Sequence, residues 1–288
     1  MKTVCLLFEI HQPFRLKKYR FYDIGAEHYY YDDYSNEEIL KRNAYQSYIP
    51  AAKMLLEMIN ASDKQFKVAL CLSGVVMEQF EMYCPEFLDC VRDLVATGCC
   101  ELCCETYSHS LSSLQDAEDF KIQAELQKKI IFETFNYQPK TFVNTGFIYN
   151  DEIGAEIAAM GFKGIVTEGA KHVLGWKSPN YLYSAAAKKS VGLLFRNQSL
   201  SEDIALRFQQ GLDAGTYMSW IAQAPAEEQV YLIAMNFDVI GGIHPASTGI
   251  FEFFKALPVN AAQNNIRFAT PIEVFENVSP VDTAYVGH

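Results

Sequence analysis

No apolar run in this chain approaches the roughly 20 residues that a membrane helix needs, so the sequence offers no candidate span. No secretory leader is read either: the apolar stretch after Lys2 is brief, Val4 to Phe8, and Glu9 closes it without a small-residue cleavage site. Basic residues are few. Lys and Arg total 24 against 35 Asp and Glu, a formal net charge of -11, which argues against phosphate backbones and anionic membrane surfaces. Neither nucleic acid nor membrane is expected as a partner, whereas a neutral ligand such as a sugar suits the balance. Cysteine is missing beyond Cys104: all eight lie between Cys5 and that residue, several inside apolar runs. This reads as reduced core cysteine of a cytoplasmic protein rather than as a disulfide framework. No internal repeat, low-complexity segment or linker interrupts the chain.

What is present is ordinary for a globular α/β protein: 50% hydrophobic and 20% charged residues over a length of 288, enough for a sizeable core. Short β-rich runs alternate with longer helical stretches, which predicts a parallel sheet with crossover helices. The expected strands are Val4 to Glu9, Phe66 to Leu72, Cys99 to Cys104, Thr141 to Asn144, Gly164 to Thr167, Gly192 to Arg196 and Tyr231 to Asn236, with a short run Arg267 to Thr270 at an edge. Helical periodicity marks Ala51 to Asn60, Pro85 to Ala96, Asp116 to Phe135, Asp151 to Met160 and Ser247 to Leu257. Gly98 and Gly161 fall where helices would end in a left-handed cap before a strand. Seven βα units without linkers predict one domain over residues 1–288, a seven-stranded (β/α) barrel with its site at the C-terminal strand ends. The longest irregular region, Arg15 to Asn43, is rich in tyrosine and is expected to roof that site.

Several strand ends carry polar groups. His11-Gln12-Pro13 directly follows the first strand. Glu101, Cys103 and Glu105 share one face of the third under a period of two, and two carboxylates there suggest a polar barrel mouth. The cysteines beside them do not make a zinc site: Cys99 and Cys103 face one way, Cys100 and Cys104 the other, and no His-x-x-x-His spacing exists. No metal and no cofactor are expected. The strand Tyr231 to Met235 leads into Asn236-Phe237-Asp238-Val239-Ile240-Gly241, and Thr141-Phe142-Val143-Asn144 leads into Thr145-Gly146-Phe147-Ile148-Tyr149-Asn150-Asp151. Tyr29, Tyr30, Tyr31, Trp176, Tyr181 and Trp220 could offer flat faces to sugar rings, Trp176 foremost because it lies between a strand-end loop and the turn at Ser178-Pro179.

In their order and strand-end placement these segments resemble glycoside hydrolase family 57, in its α-amylase-like branch. His11-Gln12-Pro13, Gly98-Cys99-Cys100-Glu101, Glu105 to His109, Thr167 to Trp176, Arg196-Asn197 and Thr248 to Phe253 all take part, and the resemblance runs from Met1 to about Asp282. It implies retaining chemistry on α-glucosidic bonds and an α-glucan or maltooligosaccharide as partner; it sets no oligomeric state. It implies that Gly146 stands where the family keeps its nucleophilic glutamate, that Asn236 stands at the acid/base aspartate, and that Asp238 stands at a neighbouring glutamate. A glycine presents no nucleophile and an amide has no titratable proton. Losing one catalytic carboxylate typically lowers the rate by about a thousandfold or more. The leading expectation is therefore a weak or inactive hydrolase that keeps glucan binding. His11, Glu101, His109, Glu168, Trp176, Arg196 and Trp220 are the expected substrate contacts.

Two alternatives stand beside it. One is an active enzyme recruiting other carboxylates, with Asp238, Glu105, Glu168 and Asp151 as candidates. The other is a metal-dependent carbohydrate deacetylase on a related barrel, which would need an aspartate and paired histidines around a cation. Family members also continue into a helical domain beyond the barrel, and the chain is expected to lack it, ending at His288.

Overall fold

A computed structural model describes residues 1–26 and 28–287. Seven parallel strands form its centre: β1 (Lys2–Ile10), β2 (Val68–Leu72), β3 (Cys100–Cys103), β4 (Thr141–Val143), β5 (Gly164–Glu168), β6 (Gly192–Arg196) and β7 (Val230–Asn236). Each pairs with its neighbour in chain order, and β7 returns to β1 along seven registered residues, Thr3↔Val230 to Glu9↔Asn236. Two seams are thin. Between β3 and β4 the Cys104 N–H donates to Thr141 O at 2.9 Å and the Val143 N–H to Cys104 O at 2.8 Å. Between β6 and β7 the ladder reduces to Arg196↔Leu232. The ring is thus a nearly closed seven-stranded (β/α) barrel, as its alternating pattern predicts.

Small and aliphatic side chains fill the inside: Cys5, Leu7, Ala69, Cys71, Cys103, Val166, Leu194 and Ala234 belong to one buried interior cluster. Residues alternating with them, Val4, Leu6, Phe8 and Ile10, point outward into the layer beneath the helices. The helix Pro271–Asn277 closes the barrel at the strands' N-terminal end. Its Phe275 ring explains two glycines, since a Cβ at Gly164 or Gly192, registered first residues of β5 and β6, would lie 2.0 and 2.3 Å from that ring.

Asn and Asp start several helices of the outer layer. Asp116, Asn150, Asn197 and Asp213 each accept a first-turn N–H, and Thr270 forms a capping box with Glu273. Gly98 and Gly161 take positive φ, 73° and 88°, as their expected capping role requires.

Four expectations need correction. Arg15 to Asn43 is not irregular throughout, because Asp33–Asn43 is a helix, capped by Asp32 and burying only Asn36 and Leu40, so its sequence shows little periodicity. Helices Gly74–Tyr83, Gln198–Ala205, Ala214–Gln223 and Pro271–Asn277 were not expected; at three turns or fewer a period is a weak signal, and of the helices this short only Asp151–Ala159 was read from it. Leu182–Ala185, likewise unforeseen, adds antiparallel to β6. The run expected over Arg267 to Thr270 forms over Ile266–Phe268 and lies beside the start of β1. All eight cysteines are free. Among the described residues no helix is long and apolar enough to cross a membrane.

Candidate functional site

Because the strands are parallel, their C-terminal residues gather at one end of the barrel. There Glu9, His11, Tyr48, His109, Asn236 and Asp238 line a cavity of about 140 Å³. Glu9 ends the inward row Cys5-Leu7-Glu9 on β1, and His11 continues it into the loop. Asn236 is the last residue of β7, and Asp238 lies in the tight turn Phe237–Val239 that follows. Tyr48 comes from a widened turn, Ala44–Tyr48, between two helices, and its hydroxyl accepts from Gln12 Nε2 at 3.2 Å.

The two histidines stack, with ring centroids 4.3 Å apart at 19°. Each has its Nδ1 engaged: His11 with Ser73 Oγ at 2.8 Å, His109 with Glu105 Oε2 at 2.5 Å. Burial, the neighbouring His109 and Arg15 lower the His11 pKa to about 4, so its ring is neutral near pH 7. Burial also pulls His109 down, but its hydrogen bond and charge contact with Glu105 outweigh this, and its pKa is raised. Glu105 itself is buried and raised, since loss of water outweighs its bonds to His109 and Cys71.

Two carboxyls in the cavity make no ion pair among the described residues. Burial, and then the nearby Glu105, push Glu9 up to about 7. Asp238 is raised by burial, and its Oδ1 is buried without a hydrogen-bond partner. A cavity edged by carboxyl, imidazole, phenol and amide groups offers both donors and acceptors, which suits the hydroxyls of a neutral ligand.

Gly146 lies at the same end, after β4, in the turn Thr145–Phe147. It is exposed with φ 63° and ψ 19°, and a Cβ there would meet only the Ile148 side chain, at 3.8 Å. Glu168 and Arg196, registered at the ends of β5 and β6, pair at 2.9 Å. Arg196 also donates from Nε to Ala234 O at 2.8 Å and lies 5.7 Å over the Phe147 ring, so Glu168 is committed to fixing this cation. Asp151 starts the helix Asp151–Ala159 and holds the chain's last segment, accepting from the Val286 N–H at 3.2 Å.

Other expected contacts do not line this cavity. Glu101 is four residues before Glu105 on the same face, but it faces the barrel's closed end: it accepts from the Ile272 N–H at 2.8 Å and from the Thr141 hydroxyl at 2.5 Å. The two carboxylates do not form one mouth. Trp220 sits on the outer helix Ala214–Gln223 against Tyr217, next to Ile221, whose carbonyl accepts from Lys2 at the start of β1. Trp176 is 92% exposed on the loop beyond β5. Among the described residues no group of three or more His, Cys, Asp or Glu could hold a metal ion, so the ligand set a deacetylase needs is not assembled. Glu9 and Tyr48 were missed. The alternation Cys5-Leu7-Glu9-His11 was the available signal for Glu9; nothing local marked Tyr48.

The sequence model of glycosyl hydrolase family 57 matches residues 5–287. A Methanocaldococcus jannaschii protein named "Putative alpha-amylase" is 39% identical over 97% of this chain, and the chain spans 60% of that relative's length. The 4-alpha-glucanotransferase of Thermococcus litoralis superposes over 99% of this chain and 42% of its own, with a TM-score of 0.77 at 17% identity. The family 57 branching enzyme of Pyrococcus horikoshii superposes over all of this chain and 73% of its own, with a TM-score of 0.76 at 10% identity. The chain belongs to glycosyl hydrolase family 57.

Proposed function

We propose that this chain, as a member of family 57, binds α-glucan at the cavity beyond β1 and β7 and hydrolyses it weakly or not at all. The observation that carries the reading is the pair of strand-end positions, Gly146 and Asn236. They lie at the same barrel end, and neither brings a carboxyl to it. By the family resemblance these are the nucleophile and acid/base positions. Retaining catalysis requires two carboxyl groups about 5–5.5 Å apart. The neighbouring acids do not replace them directly: Glu105 is held by His109 and Glu168 by Arg196.

One observation favours the second reading, an active hydrolase with substitute groups. Glu9 and Asp238 are carboxyls in the same cavity that make no ion pair among the described residues, and burial raises both, Glu9 to about 7, where a carboxyl can donate a proton near neutrality. Release of sugar from maltooligosaccharides, measured beside a binding titration with the same ligands, separates the two. Binding without release supports the first reading. Release that is lost in Glu9→Gln supports the second, and absence of binding overturns both.

A further inference from the structure

The connection from β1 to the helix Asp33–Asn43 folds into an arm of exposed aromatic rings. Its sides run antiparallel: Leu16 bridges Tyr31, the Lys17 N–H donates to Tyr30 O at 2.8 Å, and the Asp32 N–H donates to Arg15 O at 2.9 Å. Phe14 packs on Tyr31 and Tyr19 on Tyr30, both with ring centroids 5.1 Å apart, and Phe21 meets Tyr22 edge-on at 5.7 Å. The Tyr19 hydroxyl donates to Tyr29 O at 2.8 Å. The rings are therefore set against one another before any ligand arrives. Even so, Phe21 and Tyr22 leave 82% and 89% of their surface in water. Clustered exposure of this kind marks a binding surface.

The arm's root is joined to the cavity. Arg15 donates to Gln12 Oε1 at 2.9 Å, Gln12 donates to the Tyr48 hydroxyl at 3.2 Å, and Tyr48 lines the cavity wall. We propose that the arm is a second contact site for the same α-glucan, on which pyranose rings stack as the chain leaves the cavity, so that the protein selects long glucans over short ones. This rests on the cavity being a glucan site. A pyranose offers a face of C–H groups to an aromatic ring and hydroxyls at its edge to tyrosine, and a neutral chain demands no charge complement. The arm's sequence carries no net charge: Arg15, Lys17, Lys18 and Arg20 are followed by Asp23, Glu27, Asp32 and Asp33. Its own backbone bonds keep the ordering cost of binding low.

Calorimetry with maltose and with maltoheptaose tests the proposal on the wild type and on Phe21→Ala/Tyr22→Ala, two exposed positions whose replacement is checked by an unchanged thermal unfolding curve. The wild type is expected to bind maltoheptaose about tenfold more tightly than maltose, and the variant to keep its maltose affinity while losing most of that gain. A gain equal in both proteins overturns the arm and leaves the cavity reading standing. Maltose and maltoheptaose both failing to bind the wild type overturns the cavity reading and the arm with it. Concentration-dependent self-association that the variant abolishes, with no change in the chain-length gain, makes the arm a contact between copies and overturns the proposal.

Discussion

Glu9 and Asn236 are register partners on neighbouring parallel strands, and both open into one cavity at the C-terminal end of the barrel. A carboxyl thus stands directly beside the amide that the family resemblance aligns with the acid/base. The pair concentrates the question this chain poses, because the amide cannot titrate and its neighbour can.

Glu9 should give the protein a distinctive pH dependence. Its folded pKa, about 7, lies above the ordinary 4.5, so the folded state binds more protons than the unfolded one between those values. Stability from this group is therefore lost as pH rises through that window. Glu9→Gln should be more stable than wild type at pH 8, by up to ~3 kcal/mol at 1.36 kcal/mol per pKa unit, and close to it near pH 4.5. Glu101 is also raised to about 7 and slopes the same way, so the difference between the two proteins isolates Glu9. Urea unfolding at the two pH values measures it. An equal stability offset at both would refute the burial argument.

Glu101→Ala tests the reassignment of that carboxylate from ligand contact to anchor. It leaves the Ile272 N–H and the Thr141 hydroxyl without their acceptor at the barrel's closed end. Each buried unsatisfied group costs about 1–3 kcal/mol, so for two groups a loss of roughly 2–6 kcal/mol is expected. Affinity for maltooligosaccharides, measured on the fraction that remains folded, should not change. Weakened binding at unchanged stability would return Glu101 to the site.

The contrast between Glu101 and Glu105 also shows what was legible in the sequence. A period of two places both on one strand face, and the structure agrees. Yet four residues of strand span roughly 13 Å, enough to send one carboxylate to the plug helix and the other to the mouth. No local pattern says which, because that depends on Pro271–Asn277, a helix formed at the other end of the chain. The barrel itself was readable, since alternation and turn chemistry are local. His11, Asn236 and Asp238 were readable because they sit beside strand ends. Glu9 looked like the polar close of an apolar run, and only the return of β7 onto β1 makes it a wall of the cavity. Tyr48 and the arm depend on contacts between separate segments.

His109→Asn should unbalance Glu105. Asparagine tolerates the left-handed φ of 53° found at His109, so the change removes charge without adding backbone strain. Glu105 is then left buried without its cation. Because His109 itself is 24% exposed, the loss should be about 2 kcal/mol, below the figure for a fully buried pair. The His109 pKa is raised on folding, so its stabilisation is fully present below its unfolded pKa and fades as pH rises through the folded one. The gap between the two proteins in urea should accordingly be larger at pH 6 than at pH 9. A gap that grows with pH would contradict the pairing.

Restoring both carboxyls asks whether chemistry was lost only at two positions. Gly146→Glu has room, since the nearest side-chain atoms to a Cβ are those of Ile148 at 3.8 Å, but the φ of 63° should cost about 1–2 kcal/mol of stability. Asn236→Asp changes size little and places a titratable group in the cavity beside Glu9. Nucleophile and acid act as a unit, so either change alone should do little, and the double variant should exceed the product of the single effects. An activated aryl α-glucoside is the substrate to use, because its leaving group demands least of the acid. Formation of a covalent glycosyl intermediate that requires Gly146→Glu would identify the restored nucleophile directly. A wild type already as fast as the double variant would sink the reading of a weak hydrolase. In that event Glu9 and Asp238, two carboxyls of the cavity that make no ion pair among the described residues, become the pair to replace, and loss of activity in Glu9→Gln together with loss of the corresponding limb of the pH–rate profile would point to proton transfer from β1, the strand adjacent to β7.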